Sequence, residues 1–285
     1  MAIGTVFQNN EELRRLEVQS RLLKPYEQPV YQRAVNGRND LSLLDIGCNN
    51  GGKTVDRFTC DGITRVVGLE YHSGLARWAQ ETYGGNVFSF HPCDVEAPDF
   101  SDQLTAIMTH RGIEAFDLIH ISYVLLHLKD PGGLLSKLRR FLAPGGRLIV
   151  METNDGISEL IPDSLHLFGA FLDILSLDPF AGDRTCGGRV SALLANSGYQ
   201  KIVEENILIR AGGDEPQKKK DLFDIFFSYL PQDIRLLRRQ ETDNIRYASC
   251  TSWLSQHYNT LRNIILAEES ELSIGIRTIT CVGDD

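Results

Sequence analysis

The sequence predicts an α/β fold built on a mostly parallel sheet, and three observations carry that prediction. Short apolar runs at 41–46, 63–69, 87–90, 116–122 and 147–151 alternate with helix-like segments near 52–60, 74–83, 101–111 and 133–142. A glycine-bearing turn, Gly47 to Gly52, joins the first run to the first of those helices. Acidic residues mark the ends of successive runs: Asp45 on the first, Glu70 on the second and Asp94 just after the third. Runs that are apolar throughout belong to strands covered on both faces, and helical crossovers between them make neighbouring strands parallel.

Ahead of the sheet, EELRRLEVQSRLLK carries Leu13, Leu16, Leu22 and Leu23 at helical spacing after Asn9 and Asn10, with acidic residues in its first turn. Pro25 is expected to end this helix and a second short one to run from Tyr26 to Val35 before the Asn36-Gly37 break. Pro144-Gly145-Gly146 reads as a turn feeding the fifth strand. Beyond Met151 come a Leu-, Ile- and Phe-rich stretch to 184, a helix at 190–196, an alternating strand at 202–209, helical segments over 214–271 and a β-rich end at 274–282. The domain reading is one unit over 1–285, with a helical cap at 1–38, a cofactor-binding core at 39–152, and lid or substrate-binding insertions at 153–184 and 214–271.

The chain has 285 residues and a formal net charge of −9. That length accommodates a sizeable core without disulfides or a structural metal. The acidic balance argues against a large nucleic-acid footprint, which needs basic groups to neutralise phosphates. The six cysteines are scattered with no CxxC pair, so neither a disulfide framework nor a metal site is expected. No signal-peptide pattern or membrane span is evident, and a cytoplasmic protein is expected.

The densest chemical signal is LLDIGCNNGGKT, residues 43–54. Glycines at 47 and 51 let backbone turn tightly against a ligand, and a helix start offers unpaired N–H groups to an anion. Glu70 lies at the end of the second strand, where nucleotide sites place a ribose-binding acid about 20 residues beyond the glycines. Asp94 in PCDVEA could read an adenine amine, or simply form an Asx turn. A nicotinamide site would call for G-x-G-x-x-G, which Gly47, Asn49 and Gly51 do not supply.

The ordered set LLDIGCNNGG, VVGLEYHSG, PCDVEAPDF, FDLIHISYVLLHLKDP and LAPGGRLIV resembles the class I S-adenosylmethionine-dependent methyltransferases, over about residues 40–152 and more weakly over 10–40. The family motif D-x-G-x-G-x-G reads here as Asp45, Gly47, Asn49 and Gly51, with Asn in place of the middle glycine. Asn tolerates left-handed backbone better than other residues with a Cβ. The resemblance implies a Rossmann-like sheet of seven strands, the last inserted antiparallel beside the fifth. It implies S-adenosylmethionine as cofactor, leaving as S-adenosylhomocysteine. Gly47, Cys48, Asn49 and Gly51 would form the cofactor loop with Asp45. Glu70 would bind the ribose hydroxyls, Tyr71 pack on adenine, and Asp94 with Val95 read the adenine edge. Ile121 and Ser122 would face the methionine part, and Gln19 and Tyr26 could reach its carboxylate.

The expected reaction is in-line methyl transfer to a small, partly apolar organic acceptor at O, N or C. HISY at 120–123 lacks the Asn/Asp-Pro-Pro-Tyr type sequence of base-modifying branches. Phe168, Phe171, Phe180, Phe223, Phe226, Phe227, Tyr229, Trp253 and Tyr258 would either line an acceptor cavity or form the insertions' own core. His127, His166 and His257 are the candidate bases, with Glu152 and Asp155 behind them. Lys218–Lys220 reads as a solvated helix start, or as an anchor for an anionic substrate. Two alternatives stay open: a methyltransferase acting on protein or RNA, and a non-catalytic scaffold that keeps the fold.

Overall fold

The computed structural model describes residues 10–60 and 62–283, with side chains from residue 13. Among these residues eight strands form one sheet in the order β3-β2-β1-β4-β5-β8-β6, with β7 also paired to β8. They are β1 (Leu41–Ile46), β2 (Ile63–Glu70), β3 (Phe88–Pro92), β4 (Phe116–Ser122), β5 (Leu142–Thr153), β6 (Glu159–Ile161), β7 (Gln200–Ala211) and β8 (Glu271–Val282). The pairs β1–β2, β1–β4, β2–β3 and β4–β5 are parallel. β6 runs antiparallel to β8. The sheet thus has eight strands where seven are expected, and the extra one is the three-residue β6, too short to leave a sequence signal.

Among the described residues ten α-helices connect or flank these strands: α1 (Asn10–Val35), α2 (Gly52–Phe58), α3 (Ser73–Tyr83), α4 (Phe100–Arg111), α5 (Pro131–Arg139), α6 (Leu167–Leu175), α7 (Cys186–Asn196), α8 (Pro216–Phe226), α9 (Leu230–Gln240) and α10 (Ile245–Leu266). Asn9, expected before the first helix, lies outside the described residues.

The chain divides into two compact units. One holds residues 23–152, 186–205 and 277–283; the other holds 10–22, 153–185 and 206–276. In the first, the sheet distributes alternate residues to two cores, as an all-apolar parallel strand requires. Leu44, Ile46, Val67, Leu69, Ile119, Ile121, Leu148 and Val150 face α4, α5 and α7. Leu41, Leu43, Val66, Leu118, Ile149 and Met151 face Val30, Tyr31, Ala34 and Phe58.

Helix α1 corrects the expectation of a break at Pro25: the helix continues to Val35 with Pro25 and Pro29 inside it. Its buried residues Leu23, Glu27, Val30, Tyr31 and Ala34 recur at helical spacing, whereas Pro25 and Pro29 are exposed. Proline removes one N–H bond and crowds a carbonyl. On the exposed face water satisfies those carbonyls, and the buried face holds the helix together. The Pro144-Gly145-Gly146 turn is instead a bulge within β5: Leu142 pairs with Phe116, but the next pairing joins Arg147 to Leu118.

In the second unit Phe168, Phe171, Phe223, Phe226 and Phe227 are all buried. Their rings pack edge-on or tilted at centroid distances of 5.6 to 6.3 Å, and Tyr258 joins at 5.9 Å from Phe223. These aromatics are that unit's own core. Asp163 caps α6 by accepting from the Leu167 and Phe168 N–H groups. Arg184 clasps Asp155 with two hydrogen bonds of 2.8 and 2.7 Å.

Lys219 departs from the solvated-helix expectation. It is 1 % exposed, and its ammonium donates to Ala267 O, Ser270 O and Ser270 Oγ at 2.5, 2.8 and 3.0 Å. All three of its donors are used on the carbonyl-rich end of α10. Lys219→Met keeps the volume but strands those acceptors. It should lower stability by about 2–3 kcal/mol, the worth of hydrogen bonds to a buried charge, read as a lower urea midpoint with circular dichroism at 222 nm.

Candidate active site

The strand order reverses between β1 and β4, which run side by side while their crossovers depart in opposite directions. Open parallel sheets bind ligands in the crevice outside the carboxyl ends of strands at such a point. The ends here are Asp45–Gly47 on one strand and Ser122–Tyr123 on the other.

The loop after β1 folds over the end of β2. Gly47 N and Cys48 N both donate to Leu69 O, at 2.8 and 3.0 Å. Three loop residues are left-handed, with φ of 73° at Gly47, 51° at Asn49 and 74° at Gly51. A Cβ on Gly47 would lie 2.4 Å from Val124 Cγ2, and one on Gly51 2.9 Å from Phe90 Cε1. Both positions therefore demand glycine for backbone conformation and for space. Asn49 supplies the third left-handed residue and steadies it, its Oδ1 accepting from Asn50 N at 2.7 Å. Asn50 Oδ1 accepts in turn from Gly52 N at 3.1 Å.

Glu70 braces this loop. Its Oε2 accepts from Asn49 N at 2.9 Å and its Oε1 from His72 N at 2.8 Å. Burial raises its pKa above the ordinary value, and the two N–H groups work against that rise. A carboxylate has about four acceptor positions, so two N–H bonds leave it able to accept two more. Tyr71 is 63 % exposed. Asp94 is exposed and makes the Asx turn, its Oδ1 accepting from Glu96 N at 2.9 Å, while its other oxygen is open.

Asp45 behaves otherwise. It is 5 % exposed, and its oxygens take Thr54 Oγ1 at 2.5 Å and His120 Nδ1 at 2.7 Å. His120 Nε2 lies 3.0 Å from the Tyr31 hydroxyl, which reaches Met151 Sδ at 3.4 Å. Asp45 thus ties the first turn of α2 to β4. Burial pushes the Tyr31 hydroxyl well above the usual tyrosine range, with Glu27 and Asp45 adding to the rise. Burial likewise raises the Cys48 thiol, helped by the Asp45 and Glu70 charges, so Cys48 packs in the loop as a neutral thiol.

Ile121 is fully buried in the core, so only its backbone can face the crevice. Ser122 Oγ accepts from Lys53 Nζ at 2.9 Å. His127 sits in the short 3-10 turn Leu125–His127 directly after β4. His166 and His257 belong to the other unit. His166 is exposed at the start of α6, and His257 packs on Trp253 at 5.1 Å. Gln19 and Tyr26 are both half-buried on α1, Gln19 in the second unit and Tyr26 in the first. Glu152 is completely buried, where its Oε1 accepts from Leu125 N at 2.8 Å. Among the described residues no group of His, Cys, Asp and Glu could hold a metal ion.

Sequence reasoning passed over Glu27, Lys53 and Arg57. Glu27 is 2 % exposed and accepts from Lys53 Nζ and Arg57 Nε, each at 2.8 Å. Burial would raise this carboxyl, but Lys53 and Arg57 outweigh it and hold it below the ordinary range. The signal was present in the Lys53-Thr54 pair that follows the glycines, but its partners lie far away in sequence.

Residues 44–148 match the family described as a methyltransferase domain. A curated tRNA U34 carboxymethyltransferase of Alteromonas mediterranea is 29 % identical over 125 residues, 41 % of this chain and 32 % of that protein. This chain therefore spans about a third of the length of that relative. A phosphoethanolamine N-methyltransferase of Haemonchus contortus, solved with S-adenosyl-L-methionine, superposes with TM-score 0.55 at 14 % identity, over 100 % of this chain and 60 % of its own. The YcgJ protein of Bacillus subtilis gives TM-score 0.53 at 14 % identity, over 90 % of this chain and 98 % of its own. At such identities these structures establish the shared fold. No helix among the described residues is long and apolar enough to cross a membrane.

Two measurements probe the loop's supports. Asn49→Ala should cost about 1 kcal/mol of stability, because Ala tolerates left-handed backbone poorly, while Asn49→Gly should stay within about 0.5 kcal/mol of the parent; thermal melts of both variants check this. Glu27 has a folded pKa below its ordinary value of 4.5, so its stabilisation is full above that pH and lost as pH falls through the folded value. Glu27→Gln should cost about 3 kcal/mol at neutral pH by breaking the buried Glu27–Arg57 ion pair, because the exposed Asp56 replaces it only in part. In urea unfolding, the gap from the parent should narrow as the pH is lowered below the glutamate range.

Proposed function

We propose that this chain transfers a methyl group from S-adenosylmethionine to an acceptor molecule, with the donor seated across the carboxyl ends of β3, β2, β1 and β4. The observation that carries the reading is the left-handed loop Gly47–Gly51, folded over the end of β2 and held there by Glu70. Glu70 has acceptor positions for the ribose hydroxyls, Tyr71 an exposed ring to lie on the purine, and Asp94 with Val95 N–H an edge for adenine. The Haemonchus enzyme, solved with this donor on the same fold, supports the assignment.

The bound donor supplies an electrophilic methyl on a sulfonium that leaves as a neutral thioether. The protein's task is to hold the acceptor atom in line and exclude water. Where an acceptor must lose a proton, His127 is the base best placed by the fold, since it follows β4 directly. The segments at 153–184 and 214–271 fall outside the matched methyltransferase region and are proposed to select the acceptor. The net charge of −9 favours a small organic acceptor, handled in the cytoplasm. An RNA acceptor is the second reading, favoured by the tRNA-modifying relative.

Isothermal titration with S-adenosylhomocysteine tests the donor site. The parent should bind in the micromolar range, and Glu70→Gln should weaken binding at least tenfold, about 1.4 kcal/mol. Absence of binding by folded parent protein sinks the reading and leaves a scaffold role. Tritiated donor incubated with bulk tRNA or with a small-molecule extract then separates the acceptor classes by where the label goes.

A further inference from the structure

Lys53 has no assigned role in the donor site, yet its placement gives it one. It stands in the first turn of α2, and its ammonium spans to Glu27 Oε1 at 2.8 Å and Ser122 Oγ at 2.9 Å. It also lies 5.4 Å from the centroid of the Tyr123 ring. Its side chain is 27 % exposed, whereas those of Glu27 and Arg57 are 3 % and 1 % exposed. The lysine is therefore the member of this network that opens outward.

Two features leave Lys53 able to take an anion. An ammonium has three N–H donors, and Glu27 and Ser122 engage two. The charge is also unbalanced: Glu27 pairs with Lys53 and Arg57, and Asp56 pairs with Arg57 and Lys24, so two carboxylates face three cations. A further carboxylate beside Lys53 would complete the balance with a charge-assisted hydrogen bond.

The order of strand ends says which carboxylate. Asp94 follows β3, Glu70 ends β2, the glycine loop follows β1, and Ser122 ends β4. A donor with adenine at β3 and ribose at β2 carries its amino-acid end toward β4, where Lys53 meets Ser122. We propose that Lys53, positioned by Glu27 and Ser122, binds the α-carboxylate of the donor's methionine part and so discriminates the amino-acid-bearing donor from adenosine thioethers that lack it. This rests on the donor-site reading given above.

The test is a comparison of two ligands by isothermal titration: S-adenosylhomocysteine, and 5′-methylthioadenosine, which keeps the adenosine and sulfur but has no carboxylate. Lys53→Gln retains a hydrogen-bond donor for Glu27 and Ser122 and removes the charge. It should weaken S-adenosylhomocysteine at least tenfold while leaving 5′-methylthioadenosine within twofold, and Lys53→Arg should recover most of the loss. For the unaltered protein, raising the salt concentration should weaken S-adenosylhomocysteine more than 5′-methylthioadenosine, a readout that does not depend on any variant folding. Equal loss of both ligands in Lys53→Gln overturns the proposal and makes Lys53 a support of the loop; so does no loss of either, or an equal salt response. If the parent binds 5′-methylthioadenosine but gains nothing from the carboxylate-bearing ligand, the donor site stands and this role falls. If the parent binds neither, the donor site itself falls.

Discussion

The carboxylate of Asp45 is the fastening on which the candidate-site end of the sheet depends. One oxygen holds Thr54 at the start of α2 and the other holds His120 on β4, so the strand reversal and the loop that crosses it are locked to one buried group. A buried carboxylate is costly unless each oxygen is satisfied, and here both are. The residues between its two ends, Gly47 to Gly51, must then close a short path, which they do with three left-handed backbones. Asp45 thereby shapes the loop from beneath.

A second constraint is electrostatic. Glu27, Lys53 and Arg57 gather beside the same loop, and the packing of Val30, Tyr31 and Ala34 against Phe58 of α2 sets the register that brings Glu27 there. The exposure of both prolines explains how the helix survives. The same logic of pairing every buried charge recurs at Lys219, which spends its whole donor set on the end of α10. The two sites differ in completeness: Lys219 is saturated, whereas Lys53 retains a donor and an outward face.

The second unit carries little of this chemistry. Its phenylalanines bury one another, and Arg184 and Asp155 form a closed pair. Methyl transfer asks mainly for alignment and dryness rather than for a fixed catalytic group. An acceptor therefore need leave no motif in the chain that selects it. That is why the proposed donor site can be argued from named residues and the acceptor cannot.

What the sequence determined by itself was local. The apolar runs 41–46, 63–69 and 116–122 specified doubly covered strands, Gly47 and Gly51 specified a turn that tolerates no Cβ, and Asn49 was compatible with the left-handed backbone it adopts. Each of these properties depends on a residue and its immediate neighbours. Tertiary structure alone decided which groups share a charge. It made Asp45 a buried brace with His120, sank Ile121 into the core, buried Lys219, carried α1 through two prolines, and joined Glu27 to Lys53 across 26 positions of chain. Burial and pairing are properties of distant residues brought together, and no spacing within the sequence encodes the free energy of desolvation that selects them.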